Sequence, residues 1–278
     1  METNSVILRL SLTKGIGPIT FKKILQKFGT KFFYKSDFNE KVFLLTLSKY
    51  IKNFSQNWEA AEKKERICLE ECEKNKISIV TILDKNYPPL LNELPDSPMV
   101  LFFYGKLEEK IFKQKFCSVV GTRNNTIYGE KVAREIANIL SKEQIIIVSG
   151  LAIGIDSLVH LQALKKDALT VAVLGVPLEE KFLKRGIINQ IIKKNGIIFS
   201  EYPPGEKIDA GMFIRRNRIS AGLSSLTIIS EAGKKSGALS TAQFALNYNR
   251  DVLAVPGEFG KETSFGTNWL IKNSMAEL

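Results

Sequence analysis

Two short β-branched runs, each closed by a glycine turn and each followed by a helical stretch, constrain this chain more than anything else in it. Phe116 to Val120 reads Phe-Cys-Ser-Val-Val and stops at Gly121, and Ile145 to Val148 stops at Ser149-Gly150. Runs this short, bounded by turn residues, fit buried strands better than helices. Between them Val132, Ala133, Ile136, Ala137 and Leu140 recur at the spacing of one helix face. Strand, glycine turn, helix, repeated, is the plan of a parallel α/β sheet. Ligands of such sheets bind outside the carboxyl ends of the strands. Here those ends are Gly121-Thr122-Arg123 and Ser149-Gly150-Leu151-Ala152.

The same rhythm continues downstream. Thr170–Leu174, Ile197–Phe199, Leu226–Ile229 and Val252–Val255 read as further strands, each ending in small or polar turn residues. Upstream, Ile77–Leu83 and Met99–Tyr104 are extended runs separated by proline-rich breaks. Residues 1–76 differ in kind. Phe21, Ile24, Leu25 and Phe28 follow Pro18 at helical spacing, and Gly15-Ile16-Gly17 forms a tight turn before them. That turn is either half of a phosphate-holding helix-hairpin-helix or a plain connection in a small bundle. Residues 40–76 read as continuous helix, with the charged run Glu59–Lys76 on a solvated face. The pattern switch sets a boundary at residue 77: a helical domain over 1–76, and an α/β core over 77–278 expected to be complete without it.

Composition narrows the chemistry. Forty Lys and Arg against 29 Asp and Glu give a net charge of +11, with more than half of the excess after residue 110. That favours a polyanionic partner. Three cysteines in no paired pattern argue against a disulfide framework, and Cys68 and Cys72 read as small residues on one helix face rather than a metal pair. His160 is the only histidine, so zinc chemistry and histidine acid–base catalysis have almost no material. The amino terminus carries no signal-peptide pattern and no apolar run is long enough to span a bilayer, so a cytoplasmic location is expected.

In order along the chain stand Val-Val-Gly121-Thr-Arg123, Tyr128-Gly129, Ser149-Gly-Leu-Ala-Ile-Gly-Ile-Asp156 and His160. Then come Ser200-Glu-Tyr-Pro203, Phe213, Arg216-Asn-Arg-Ile219, Ala221-Gly-Leu-Ser224, Ser236-Gly-Ala-Leu239, Arg250, Val255-Pro-Gly257 and Gly266-Thr-Asn-Trp-Leu-Ile271. This set, over roughly 77–278, resembles the DNA-processing protein A (DprA/Smf) family. Residues 1–76 resemble, more loosely, the family's SAM-like amino-terminal domain. The resemblance implies an extended Rossmann-like domain that binds single-stranded DNA. It also implies a homodimer, and a role in loading the RecA recombinase onto incoming strands during natural transformation. No cofactor is expected, and no catalysis, since acid–base groups are scarce and the phosphate-loop motifs are missing. Three departures stand out. Phe182-Leu183 replaces the usual Tyr-Pro before Lys184, Ser220 stands where a larger apolar residue is common, and the match ends at Leu278 with no winged-helix-like segment after it.

The DNA-binding set expected on this reading begins with Gly121, Thr122 and Arg123, whose guanidinium suits a pair of phosphate oxygens. Ser149, Gly150 and Ala152 would offer N–H groups and a hydroxyl to an anion. Lys184 adds a point charge, and Arg216, Asn217 and Arg218 either contact DNA or brace the domain. Asp156, Glu201 and Glu231 beside strand ends are better placed to cap N–H groups than to hold magnesium, and His160 reads as structural. For dimerisation the region Leu226–Val255 is expected, with Leu239, Phe244, Ala245 and Leu246 as contacts or as core. The competing class is a nucleotide-processing enzyme of the phosphoribohydrolase type. Its Pro-Gly-Gly-x-Gly-Thr turn is replaced here by Ser230-Glu-Ala-Gly-Lys-Lys-Ser-Gly. A Gly-x-Gly-x-x-Gly fingerprint and a Walker loop are both missing, which disfavours a dinucleotide oxidoreductase and an intrinsic ATPase.

Overall fold

The computed structural model describes residues 3–34, 38–183 and 186–278. Helices α1 (Thr3–Leu12), α2 (Pro18–Phe28), α3 (Glu40–Ser48) and α4 (Phe54–Lys74) come first. Strand β1 (Ser78–Thr81), the single turn α5 (Pro89–Asn92) and β2 (Val100–Gly105) follow. The repeating unit then runs β3 (Phe116–Val120), α6 (Ile127–Lys142), β4 (Ile146–Ser149), α7 (Ile155–Lys165) and β5 (Thr170–Leu174). After α8 (Glu180–Leu183) and α9 (Gly186–Lys193) come β6 (Ile197–Ser200), α10 (Ala210–Gly222), β7 (Leu226–Ile229), α11 (Ala238–Asn247), β8 (Asp251–Ala254) and α12 (Phe265–Lys272).

The strands make one sheet in the order β1-β2-β6-β5-β4-β3-β7-β8. From β6 to β8 every pairing is parallel; β2 joins β6 antiparallel and β1 joins β2 antiparallel. The α/β fold is therefore the one the sequence predicts, with β1 and β2 making the parallel sheet mixed at one edge. The chain winds one way from β3 through β4 and β5 to β6, then crosses back to lay β7 on the other side of β3. That reversal opens a crevice above β3, the position where open α/β sheets bind ligands.

Local chemistry places the helices. Thr126 Oγ1 accepts the Gly129 N–H at 3.0 Å to start α6, and Asp209 Oδ1 accepts the Met212 N–H at 3.1 Å to start α10. In α6 the buried positions Gly129, Ala133 and Ala137 are small, so this helix sits close against the sheet, with Leu140 filling the core near its end. Residues 40–76 are not one helix. They break over 49–53, where Asn53 takes a left-handed backbone at φ 56° before α4.

The amino-terminal helices pack against the sheet. In α1 five consecutive residues, Val6 to Leu10, are buried. A helix covered all round must have partners on both sides. On one side Arg9 reaches α4, with its Nε 2.6 Å from Glu65 Oε2 and its guanidinium 5.0 Å from the Trp58 ring centre. On the other side α1 meets β1 and β2, and Thr81 Oγ1 bonds to Asn4 at 3.3 Å. One continuous apolar core runs from Val6, Phe21 and Trp58 through Phe102 to Val171 and Phe199. Apolar residues on both sides of residue 77 thus share one core. The charged run on α4 also hides a buried carboxylate, Glu65, on what reads as a solvated face.

Candidate nucleic-acid interface

The crevice above β3 encloses about 370 Å³. Its floor is Val120, Gly121 and Thr122 from the end of β3 and Ala152 from the end of β4; its walls are Phe213, Ile214, Arg216 and Asn217 of α10 and Lys235 to Ala238 at the start of α11. Arg123 stands exposed at its mouth. Neither Arg123 nor Lys235 has an ion-pair partner among the described residues. The amino end of α11 adds the positive end of a helix dipole.

Arg216 is the buried member of this cationic set, with 6% of its surface exposed. Its Nη1 donates to the Val173 carbonyl at 2.7 Å, and its Nε has no protein partner. Gly150 makes room for it: a Cβ there would lie 1.8 Å from Nη1. Burial pushes the Arg216 guanidinium below its ordinary range, Asp156 pulls it back up, and the nearby Arg123 charge pushes it down again. The crevice therefore gathers positive groups that repel one another and are short of negative charge.

One negative group is built in. Asp156 is buried, and its Oδ2 accepts the Gly150 N–H at 3.1 Å; the N–H groups of Gly121 and Ala152 also favour its charged form. Burial raises its pKa, while the Arg216 charge and these N–H groups work to lower it. The Gly150 N–H is thus engaged by the chain's own carboxylate, while Gly121 and Ala152 line the crevice. The Ser149 hydroxyl is likewise committed, donating to the Val119 carbonyl at 2.6 Å inside the sheet.

The other expected residues divide. Asn217 lines the crevice, and its Nδ2 donates to Ser240 Oγ at 2.8 Å, tying α10 to α11. Arg218 is a brace. It pairs with Glu201, and its Nη1 donates to the Asp96 carbonyl at 2.8 Å, away from the crevice. Lys184 lies outside the described residues. Glu231 accepts the Thr126 N–H and hydroxyl at 2.9 and 2.7 Å. Each of the three strand-end carboxylates thus has a protein partner. His160 is buried, its Nδ1 2.7 Å from Thr170 Oγ1, and burial lowers its pKa to about 3. Lys235 and the start of α11 are absent from the expected site. The turn after Ile229 reads as a strand end, but Lys235 lies six residues beyond it, and only the fold brings it to the crevice.

The family model for DNA recombination-mediator protein A matches residues 78–278. The chain belongs to this family. It is 37% identical over 201 residues to the DNA processing protein DprA of Streptococcus pneumoniae, spanning 72% of this chain and 70% of that one. It is 40% identical over 209 residues to protein Smf of a Synechocystis strain, covering 74% of this chain and 52% of that protein, so the match spans about half of Smf. The crystal structure of the pneumococcal protein superposes with a TM-score of 0.81 at 30% identity, over 100% of this chain and 95% of that one. The Helicobacter pylori DNA processing protein A, solved for insight into its single-stranded DNA binding mode, gives 0.63 at 30% identity over 73% and 90%. Among the described residues of this mediator-family chain, no helix is long and apolar enough to cross a membrane.

Proposed function

We propose that the crevice above β3 holds the backbone of single-stranded DNA, and that the chain delivers such strands to a RecA-type recombinase during natural transformation. The observation that carries this is the convergence of Arg123, Lys235 and the unpartnered Nε of buried Arg216 at the topological switch point. Arg123 and Lys235 contact successive phosphates, Arg216 sets the potential beneath them, and α11 adds its dipole. The described single-strand binding of the Helicobacter relative supports the reading. The reading includes no catalytic step, because Asp156, Glu201 and Glu231 are engaged in capping or ion pairs. It includes a homodimer, for which half-exposed Phe265 and Trp269 offer apolar surface; Ala245, by contrast, is core. It places the protein in the cytoplasm.

The test is titration of oligo(dT) at several salt concentrations. Each phosphate neutralised contributes a log–log salt slope of about 0.7. Arg123→Ala and Lys235→Ala should each reduce the slope by up to about that amount and weaken all sequences alike. A folded double variant with unchanged affinity and slope would move the site elsewhere, with the Gly15–Gly17 turn next in line.

A further inference from the structure

Beside the crevice lies a second opening of about 740 Å³, between the start of α6 and the loop that follows β8. Ile127, Tyr128, Glu231, Pro256, Glu258 and Lys261 border it. Of the three most exposed large apolar side chains among the described residues, Ile127 borders it and Phe259 follows its lining residue Glu258 in the chain. Ile127 is 91% exposed, and Phe259, in the loop that supplies the lining residues Glu258 and Lys261, is 96% exposed. Tyr128 is 50% exposed.

We propose that this groove is a base-stacking subsite that receives nucleotides of the same DNA strand whose phosphates occupy the crevice. The inference rests on the crevice reading. Continuity supports it first. The turn after β3 borders the crevice with Thr122 and Arg123 and the groove with Thr126 to Tyr128; the turn after β7 gives Lys235 to the crevice and Glu231 to the groove. The Thr122 N–H bonds to the Glu231 carbonyl at 2.8 Å, and Glu231 holds Thr126, so the two turns form one ridge between the openings. The five residue steps from Thr122 to Ile127 reach at most about 18 Å. A strand of a few nucleotides crosses that ridge.

Rigidity and charge support it next. The Tyr128 hydroxyl donates to the Pro256 carbonyl at 2.9 Å and fixes the ring. Asn268 bonds both the N–H and the carbonyl of Gly257 at 3.0 Å, fixing the loop that bears Phe259. The two acids at the groove are already engaged, Glu231 by Thr126 and Glu258 by Lys261, so they do little to repel DNA. Exposed aromatic faces next to a cationic track are the sequence-tolerant partners of unstacked bases.

The experiment measures oligo(dT) affinity as a function of length for the full chain, Phe259→Ala, Phe259→Tyr and Arg123→Ala. Phe259 is almost wholly exposed, so its truncation removes no core packing. The wild-type affinity should step up at the length that crosses the ridge. Phe259→Ala should lose about tenfold on long oligonucleotides and nothing on the shortest that bind. Phe259→Tyr should restore the step, and 5-iodouracil photocrosslinks from long strands should map to Tyr128 or Phe259. If Phe259→Ala matches the wild type at every length while Arg123→Ala weakens them all, the subsite is wrong and the crevice reading stands. If neither variant changes binding at any length, the crevice reading fails as well. A Phe259→Ala protein with normal DNA affinity but altered sedimentation would give the groove to a second copy of the chain and overturn the inference.

Discussion

Arg216 and Asp156 show how far one residue's environment departs from its symbol. The pattern Arg-Asn-Arg-Ile marks a motif, yet it does not say that the first arginine is buried under Gly150 and the second bonded to Glu201. Those facts come from long-range packing that no local spacing encodes. Removing one of two mutually dependent buried charges leaves the other uncompensated. Arg216→Met and Asp156→Asn should therefore each destabilise by about 3 kcal/mol, and the double variant by clearly less than their sum in urea melts. Gly150→Ala should displace the guanidinium, destabilise by about 1–3 kcal/mol and weaken DNA binding together. His160 gives a pH signature. Its folded pKa of about 3 lies below the ordinary 6.5. Between those values the unfolded chain binds the proton and the folded chain does not. Its contribution to stability is present above about 6.5 and is lost as pH falls toward 3, by up to about 1.4 kcal/mol per pH unit. His160→Gln should flatten the pH dependence of the urea midpoint across that window; an identical slope would exclude the role.

Among elements, the strands were the most legible. Thr170–Leu174 and Leu226–Ile229 have in the structure the limits the sequence predicts, because a buried parallel strand needs an unbroken apolar run and a turn residue to stop it. The helices were less so. The break between α3 and α4 carries no proline or glycine, and depends on Asn53 accepting a left-handed backbone. Arg9–Glu65 joins residues 56 apart, a distance invisible to helical periodicity. Helix α10 joins both halves of the argument. It presents Phe213, Arg216 and Asn217 to the crevice, and Arg218 anchors it behind. Arg218→Met should therefore lower the melting temperature and, by freeing α10, weaken DNA binding without reducing the salt slope. A reduced slope would mean that Arg218 meets a phosphate.

At the scale of the molecule, the boundary at residue 77 is visible as a change of pattern, whereas the union across it is not. Burial of α1 against both α4 and the strands is a property of the assembled chain. A protein lacking residues 1–76 should expose the apolar surface that α1 covers on β1 and β2. It should bind a hydrophobic dye and melt at lower temperature than the full chain, and a cooperative melt at the full chain's temperature would refute this. The same continuity governs how the protein is made. The first four helices leave the ribosome before the strands that close their core exist, and the shared core includes β6, near residue 200. At about 5–20 residues per second, that is a wait of roughly 6–25 s for the nascent helices. Their aromatic surface is in that interval a target for chaperones, and slow codons between residues 76 and 200 would lengthen the exposure.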